Sequence, residues 1–305
     1  MEATRHHSRR HTVYAVESEP DRSENRARPD TDDCGSGARA IHQPVDTSDR
    51  NAMSSLTRML SILDLFSSTA MSMTAESIAE RMGFTRTTCY RYVKELTEAG
   101  LLNNANGVYS LGARIINLDR KMRESDPLLQ AGIPELKKLV RSTGGEGLIS
   151  TMYDEQIINI HHESGPERLN LGFGRGQVMP LMRGASSKVI IATMSRARLK
   201  RLFDRHMLAE DPALTDDWPT LWRYCQQIIQ QGYWVSHEEL NKGHVGISAP
   251  IPTGESSEAT SSMTLVFRRE HYLLFNESAL GAALSVAAQS IGRKAYAATP
   301  VPPRK

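Results

Sequence analysis

Between residues 54 and 143 the apolar positions recur at helical spacing, broken by a few punctuating residues. Leu56, Met59, Leu60, Leu63 and Phe66 lie three or four apart and predict a first helix. Thr74 opens a second helix as its N-cap. This helix carries Ile78, Ala79 and Met82, and Gly83 ends it. Thr85 caps a third helix, on which Cys89, Val93 and Leu96 form a single buried stripe. After Leu101 and Leu102, Asn106-Gly107 is a strong hairpin signal, and Val108, Tyr109 and Leu111 supply the returning strand. A hairpin directly after a helix pair is a wing, so residues 53–112 are expected to form a winged helix-turn-helix.

The polar remainder of the third helix points to chemistry. Arg86, Thr87, Tyr90, Arg91 and Lys94 fall on its outward sides. Such a helix suits the major groove of DNA, where Arg can fork onto guanine or phosphate and Thr can reach base edges or the thymine methyl. Thr85 and Thr88 at the helix start, and Arg58 on the first helix, complete the candidate DNA-contacting set. The competing reading is an ordinary helical hairpin with a solvated charged face.

Beyond the wing, Leu111, Ile115, Leu118 and Met122 are spaced 4, 3 and 4 apart, a narrow seam of the coiled-coil kind. Residues 113–127 are read as a linker helix that pairs with a twin in a dimer, because helix-turn-helix proteins commonly bind paired half-sites, the plain alternative being simple packing on the C-terminal domain. Asp126-Pro127 breaks it. A further helix carries Leu129, Ile133, Leu136 and Val140, is expected to kink or restart at Pro134, and ends at Gly144-Gly145. Residues 128–296 then mix strands and helices. Residues 147–153 and 156–162 flank a turn as an antiparallel pair. Residues 187–194, 196–205 (capped by Ser195) and 218–231 read as helices. Residues 233–236, 245–249 and 263–267 read as strands, and a closing helix carries Leu280, Ala283, Leu284, Ala287 and Ile291. Adjacent strand pairs with helices set to the side argue for an α+β domain.

The order SLTRMLSILDLF…SIAERMGFTRTTCYRYVKELTEAGLL…YSLG resembles the DNA-binding domain of the IclR family of bacterial transcriptional regulators. MPLMRGASSKVIIA (residues 179–192) is similar to that family's LPLHATASGKAILA segment. GYWVSHEELNKGHVGISAPI (residues 232–251) is similar to its GYAVDDEE…GVRCIAAPI segment. The resemblance spans about residues 53–296. It implies a GAF-like effector-binding domain, a dimer or tetramer, and a ligand site shared by the two later segments. It maps Ser236, His237, Gly246 and Ile247 to that site, with Thr264 offered by the facing strand.

The residues of the first of those segments allow such a site, although taken without the resemblance they favour an ordinary helix start. Gly184, Ala185, Ser186 and Ser187 open a helix, where small side chains let a ligand approach free backbone N–H groups and the dipole favours an anion. Arg183 could pair with a carboxylate. The plain alternative is a tightly packed helix start. Several positions depart from the family pattern: Met182, Arg183, Ser187, Ser236-His237 and Gly246 replace its usual residues. Arg183 and His237 tilt the expected effector toward a carboxylic acid, aromatic or a small keto or hydroxy acid.

Composition changes this picture little. The chain has 305 residues, 39% hydrophobic and 24% charged, with a formal net charge of +2, which fits about two globular domains and leaves nucleic-acid binding to local patches. Cys34, Cys89 and Cys225 are far apart and show neither metal-ligand pairing nor a disulfide framework, which fits the cytoplasm. No apolar run approaches a membrane span. Residues 1–52 contain no Phe, Trp, Leu or Lys, with eight Arg against ten acidic residues. They are read as a disordered extension, one explanation being translation that begins at Met53. Residues 297–305 are read as a loose tail.

Three further patterns carry less. Gly172, Gly174 and Gly176 lack the context of a dinucleotide fingerprint and are read as a mobile loop beside the pocket. His161-His162-Glu163 could contribute to a metal site with His237 or His244, but neighbouring strand residues point to opposite faces, so no metal is expected. Ser186-Ser187-Lys188 does not supply an S-x-x-K nucleophile. No catalytic residues and no cofactor are expected. The leading expectation is a DNA-binding regulator whose operator affinity answers to a small-molecule effector. The alternatives are a constitutive DNA-binding regulator whose C-terminal domain only oligomerises, and an enzyme acting on a small acid.

Overall fold

The computed structural model describes residues 54–206, 217–253 and 258–297. The expected extension at 1–52 and the tail beyond Ala297 lie outside the described residues.

Local capping builds the N-terminal domain. Helix α1 (Ser55–Leu60) is capped by Ser54, and a 3-10 turn follows at Leu63–Leu65. Strand β1 (Ser72–Thr74) leads into α2 (Ala75–Met82), where the Thr74 hydroxyl accepts from the Ser77 amide at 3.3 Å. Gly83 closes α2 in left-handed backbone, at φ 66°. Thr85 caps α3 (Arg86–Glu98) by accepting from the Thr88 amide. The wing is β2 (Leu102–Ala105) and β3 (Val108–Leu111), joined through Asn106 and Gly107, both at positive φ.

Two details differ from the sequence expectation. The first helix stops after six residues, so Leu56 and Leu60 are 67% and 48% exposed while Ile62 is fully buried. The 3-10 turn re-aims the chain, and a single 3.6 period cannot be carried across it. The unexpected β1 adds a third strand beside β3, with Met73 opposite Tyr109 and both buried.

Helix α4 (Arg114–Ser125) buries none of its residues. Its start is stitched to the end of α3: the Arg114 guanidinium donates to the Ala99 carbonyl at 2.8 Å, and its amide to the Gly100 carbonyl at 3.2 Å. Within one chain the expected seam faces solvent, with Leu111, Leu118 and Met122 exposed and Ile115 half-buried. Helix α5 (Pro127–Thr143) is capped by the Asp126 carboxylate and runs through Pro134 without restarting. Its buried face of Leu129, Gly132, Leu136 and Val140 lies against the sheet, and that packing holds the helix together where the proline removes one backbone hydrogen bond.

The C-terminal domain is a six-stranded, wholly antiparallel sheet in the order β6-β5-β4-β9-β8-β7. The strands are β4 (Glu146–Tyr153), β5 (Gln156–Glu163), β6 (Val178–Met179), β7 (Trp234–His237), β8 (His244–Ile251) and β9 (Ser261–Arg268). Helices cover both faces rather than one side. On one face α5 and α10 (Glu277–Ala297) pack Leu136, Leu284 and Ile291 against Ile149, Ile247 and Leu265. On the other, α6 (Ala185–Ala192), α7 (Arg196–His206) and α8 (Trp218–Gln231) gather Val189, Ile190, Leu199, Leu221 and Cys225 over Ile157 and Met179. A short helix, α9 (Arg269–Tyr272), follows β9. Coverage from both sides explains why β9 is buried along nearly its whole length rather than at alternate residues. Cys89 and Cys225 are buried free thiols, and burial pushes the Cys225 thiol up to about 12. Among the described residues no helix is long and apolar enough to cross a membrane.

Candidate nucleic-acid interface and ligand cavity

Helix α3 divides cleanly into two faces. Cys89, Tyr92, Val93 and Leu96 are buried against the domain, while Arg86, Thr87, Tyr90, Arg91 and Lys94 are exposed together. Tyr92 extends the expected stripe, and its ring meets Phe84 edge-on, with centroids 5.5 Å apart. Thr85 is occupied in capping, and its hydroxyl donates to that of the half-buried Thr88 at 2.9 Å. Arg58 lies over the Phe84 ring at 4.9 Å, which fixes its guanidinium beside the turn between α2 and α3. Lys94 forms a loose exposed pair with Glu98 at 3.7 Å.

The second site forms where α6 meets the sheet. Strand register sets its floor: Leu148 is opposite Thr264, and Gly246 is opposite both Val266 and Ser236. These side chains share one face because strand residues alternate. Above them lies the start of α6. Gly184, at φ 82° and ψ 152°, holds a backbone conformation essentially reserved for glycine. A Cβ there would also sit 2.6 Å from Leu240. Of the helix's unsatisfied first amides, that of Gly184 donates to the Glu239 carboxylate at 2.9 Å and that of Ala185 to the Ser236 hydroxyl at 3.2 Å. Glu239 also pairs with the buried Lys188 ammonium at 3.0 Å, and Lys188 lies over the Tyr224 ring.

Between floor and helix is a cavity of about 40 Å³. It collects Ala185, Ser186, Ser236, Gly246 and Thr264 from the expected set. The others lie elsewhere. The Arg183 guanidinium donates to the Glu239 backbone carbonyl and does not line the cavity. Ile247 and His237 alternate with Gly246 and Ser236, so they face the opposite side of the sheet. Ile247 joins the core under α5 and α10, and His237 is exposed with its ring edge-on to Tyr272. Gly184 shapes the rim against Leu240, and Ser187 is fully buried with a hydroxyl that has no partner among the described residues. A period of two applied to each strand would have separated these neighbours.

The walls come from two loops, the glycine loop expected beside the pocket and the turn inside the second family-like segment, although the lining residues within them were not among the expected set. Leu240 and Asn241 come from the turn between β7 and β8, His244 from the first position of β8, and Leu171 and Phe173 from the glycine loop. The Asn241 amide donates to the Leu171 carbonyl at 2.8 Å, tying the two loops together. The glycine loop is tied to its neighbours by side-chain hydrogen bonds. The Asn159 side-chain amide donates to the Phe173 carbonyl at 2.9 Å. Arg175 donates through Nε to the Ile160 carbonyl at 2.9 Å and through both terminal nitrogens to the Asp119 carboxylate of α4. That pairing holds the Asp119 carboxyl below its usual range. Among the described residues no group of three His, Cys, Asp or Glu is placed to hold a metal ion: His162 pairs with the buried Glu146, and His161 lies 3.4 Å from Glu163.

Known proteins match both halves of this architecture. Residues 55–104 match the IclR helix-turn-helix domain, and residues 121–293 the bacterial transcriptional regulator IclR C-terminal domain. The HTH-type transcriptional regulator XynR of Escherichia coli K12 is 27% identical, over 73% of this chain and 90% of its own. An IclR transcriptional regulator from Alicyclobacillus acidocaldarius superposes with a TM-score of 0.69 at 21% identity, over 79% of this chain and 98% of its own. An IclR homologue from Microbacterium hydrocarbonoxydans, solved in complex with 4-hydroxybenzoate, superposes with a TM-score of 0.68 at 19% identity, over 80% of this chain and all of its own. The chain belongs to the IclR family of bacterial transcriptional regulators.

Proposed function

We propose that this regulator binds a small carboxylic acid, aromatic for preference, in the cavity beneath α6, and that binding changes its affinity for an operator read by α3. The observation that carries the reading is the continuity from cavity to DNA-reading helix. Phe173 lines the cavity, Arg175 two residues later grips Asp119 on α4, and Arg114 at the start of α4 grips the end of α3. A cavity of about 40 Å³ holds only a few water molecules, whereas ligand sites commonly span about 300–1,000 Å³. An acid of benzoate size is therefore admitted only if Leu171, Phe173 or Leu240 moves outward. Such movement pulls on the loop that holds α4, and so makes ligand affinity depend on linker geometry.

The lining supports the ligand class. Leu148, Phe173, Met179 and Val266 offer apolar walls for a ring, with hydroxyls of Ser186, Ser236 and Thr264 and the His244 imidazole among them. The amides of Ser186 and Ser187 have no intrahelical acceptor, as at any helix start, and favour an anion, while the Glu239 carboxylate that also lines the cavity is paired with the Lys188 ammonium. The 4-hydroxybenzoate complex of the Microbacterium homologue is the same class of molecule. The exposed seam of Leu111, Leu118 and Met122 suits pairing of two α4 helices, which would place two copies of α3 on successive major grooves in the cytoplasm.

Calorimetric titration of the full chain with 4-hydroxybenzoate, benzoate and a short hydroxy acid tests this, alongside fluorescence anisotropy on a duplex that the protein selects from a random pool. Saturable binding that shifts the duplex affinity supports the reading. Acid binding with unchanged duplex affinity, or no acid binding with tight duplex binding, favours the constitutive regulator. Turnover of a bound acid favours an enzyme.

A further inference from the structure

The exposed face of α3 carries one feature that a cationic DNA-reading surface does not require. Glu76, in the first turn of α2, is exposed and accepts a hydrogen bond from the Tyr90 phenol, Oη to Oε1 at 2.7 Å. Immediately beneath, Cys89 donates to the Ala75 carbonyl at 3.2 Å, so the two helices are in register at this level. Tyr90 stands one turn after Arg86 and one turn before Lys94, with Arg91 beside it. The carboxylate therefore lies alongside the stripe expected to meet DNA. Tyr90 is 49% exposed, so its ring has no packing on the outer side to hold it in one rotamer. The hydrogen bond to Glu76 supplies that restraint. The same bond is the largest cause holding the Glu76 carboxyl below its usual range, with the Arg86 charge adding in the same sense.

We infer that Glu76 is a positioning and specificity residue of the DNA interface, holding the Tyr90 phenol in one orientation toward the groove and opposing non-specific contact with phosphates. The inference rests on the reading of α3 as the DNA-reading helix. Two effects follow, and they are separable. The tether limits which base edges the phenol can reach, because a ring fixed at one end cannot swing to a neighbouring step. The charge weakens every DNA complex through phosphate repulsion, and tells most where no base contact offsets it. Together they widen the gap between the operator and random sequence.

The test uses the full chain, the duplex it selects from a random pool and a scrambled duplex of equal length. Glu76→Gln keeps an oxygen acceptor for the phenol and removes the charge. It should tighten scrambled-duplex binding several-fold and steepen the log–log salt dependence by up to about 0.9, while base preference is retained. Tyr90→Phe keeps the charge and removes the phenol together with its tether, so it marks the operator position that the phenol reads. It should broaden preference at one operator position, lowering discrimination there by about tenfold without tightening the scrambled complex. Glu76→Ala should do both. Unchanged preference, salt slope and scrambled-duplex affinity in all three variants would overturn the inference. So would a loss spread evenly over all operator positions together with a lowered melting temperature, because that marks a merely structural contact. Arg86→Ala, measured in parallel, separates the two levels. If Arg86→Ala weakens binding and the Glu76 variants do nothing, only this inference fails. If Arg86→Ala is also silent, the reading of α3 fails.

Discussion

The proposed DNA-reading face and the proposed ligand cavity are built in opposite ways. The first is five exposed side chains within nine consecutive residues of α3, whose geometry follows from one helical period and two threonine caps. The second draws on β4, the glycine loop, β6, α6, β7, the β7–β8 turn, β8 and β9, over a span from Leu148 to Val266. A local site survives small errors in the surrounding fold. A site assembled from distant segments depends on every strand's face and on loops with no period at all. The two sites should therefore respond differently to substitution: the DNA face residue by residue, the cavity through its supporting backbone.

The largest expected effect is on the local site. Arg86→Ala and Arg91→Ala should each weaken operator binding by about 1–3 kcal/mol if the guanidinium makes a bidentate base contact, and the double variant by more than either. Anisotropy on the selected duplex reads this directly, and the melting temperature should stay unchanged because both side chains are exposed. Thr88→Ala provides the contrast. Its hydroxyl is turned to Thr85, so a small loss of stability without loss of base preference is expected.

How much could be read beforehand follows from the same difference. The caps at Thr74 and Thr85, the turn at Gly83 and the wing at Asn106-Gly107 were legible because each is a local backbone requirement. Ile62 was not, because it is buried only through the 3-10 turn that ends the helical period. In the C-terminal domain the small residues at the start of α6 were legible as a helix start. Ser236 and Gly246 were found together with their neighbours His237 and Ile247, since similarity to a segment does not say which strand face a residue occupies. The glycine loop and the second family-like segment were read as near the site, but Phe173, Leu240 and Asn241 within them were not singled out, because their place depends on tertiary hydrogen bonds such as that from Asn241 to Leu171. Arg183 had the right chemistry in the wrong direction: a charged group next to a helix start satisfies whichever acceptor is nearer, here the Glu239 carbonyl.

Two substitutions probe the cavity through its backbone. Gly184→Ala forces a side chain into a backbone conformation that disfavours it and against Leu240, which should cost about 1–3 kcal/mol of stability and lower acid affinity in calorimetry. Retained acid affinity would mean that the ligand does not sit under α6. Arg175→Ala asks a narrower question. It removes the grip on Asp119 together with the loop's bond to the Ile160 carbonyl while changing no residue of the cavity lining, so acid and duplex should each still bind alone. The shift in duplex affinity caused by acid should shrink, by about 1 kcal/mol of coupling. An undiminished shift would place the route between the sites elsewhere.

The smallest effect is reserved for a contact that belongs to neither site. Glu135 on α5 accepts from Lys294 of α10 at 2.9 Å and from Lys138 at 3.2 Å, and these bonds hold its carboxyl below the ordinary value of 4.5. A depressed carboxyl contributes stability that is fully present above its unfolded pKa and is lost as the pH falls through the folded one. Both lysines are well exposed, so solvent screening keeps the contribution below about 1 kcal/mol. Glu135→Gln should lower the melting temperature by about 1–3 °C at pH 7, and by progressively less as the pH falls through and below the ordinary carboxylate range, where the stabilising charge is lost. Both acid and duplex affinities should be untouched at pH 7. A change in either would show that the packing of α5 on α10 is part of the coupling, and that the cavity's dependence on its scaffold reaches through the sheet to the opposite layer.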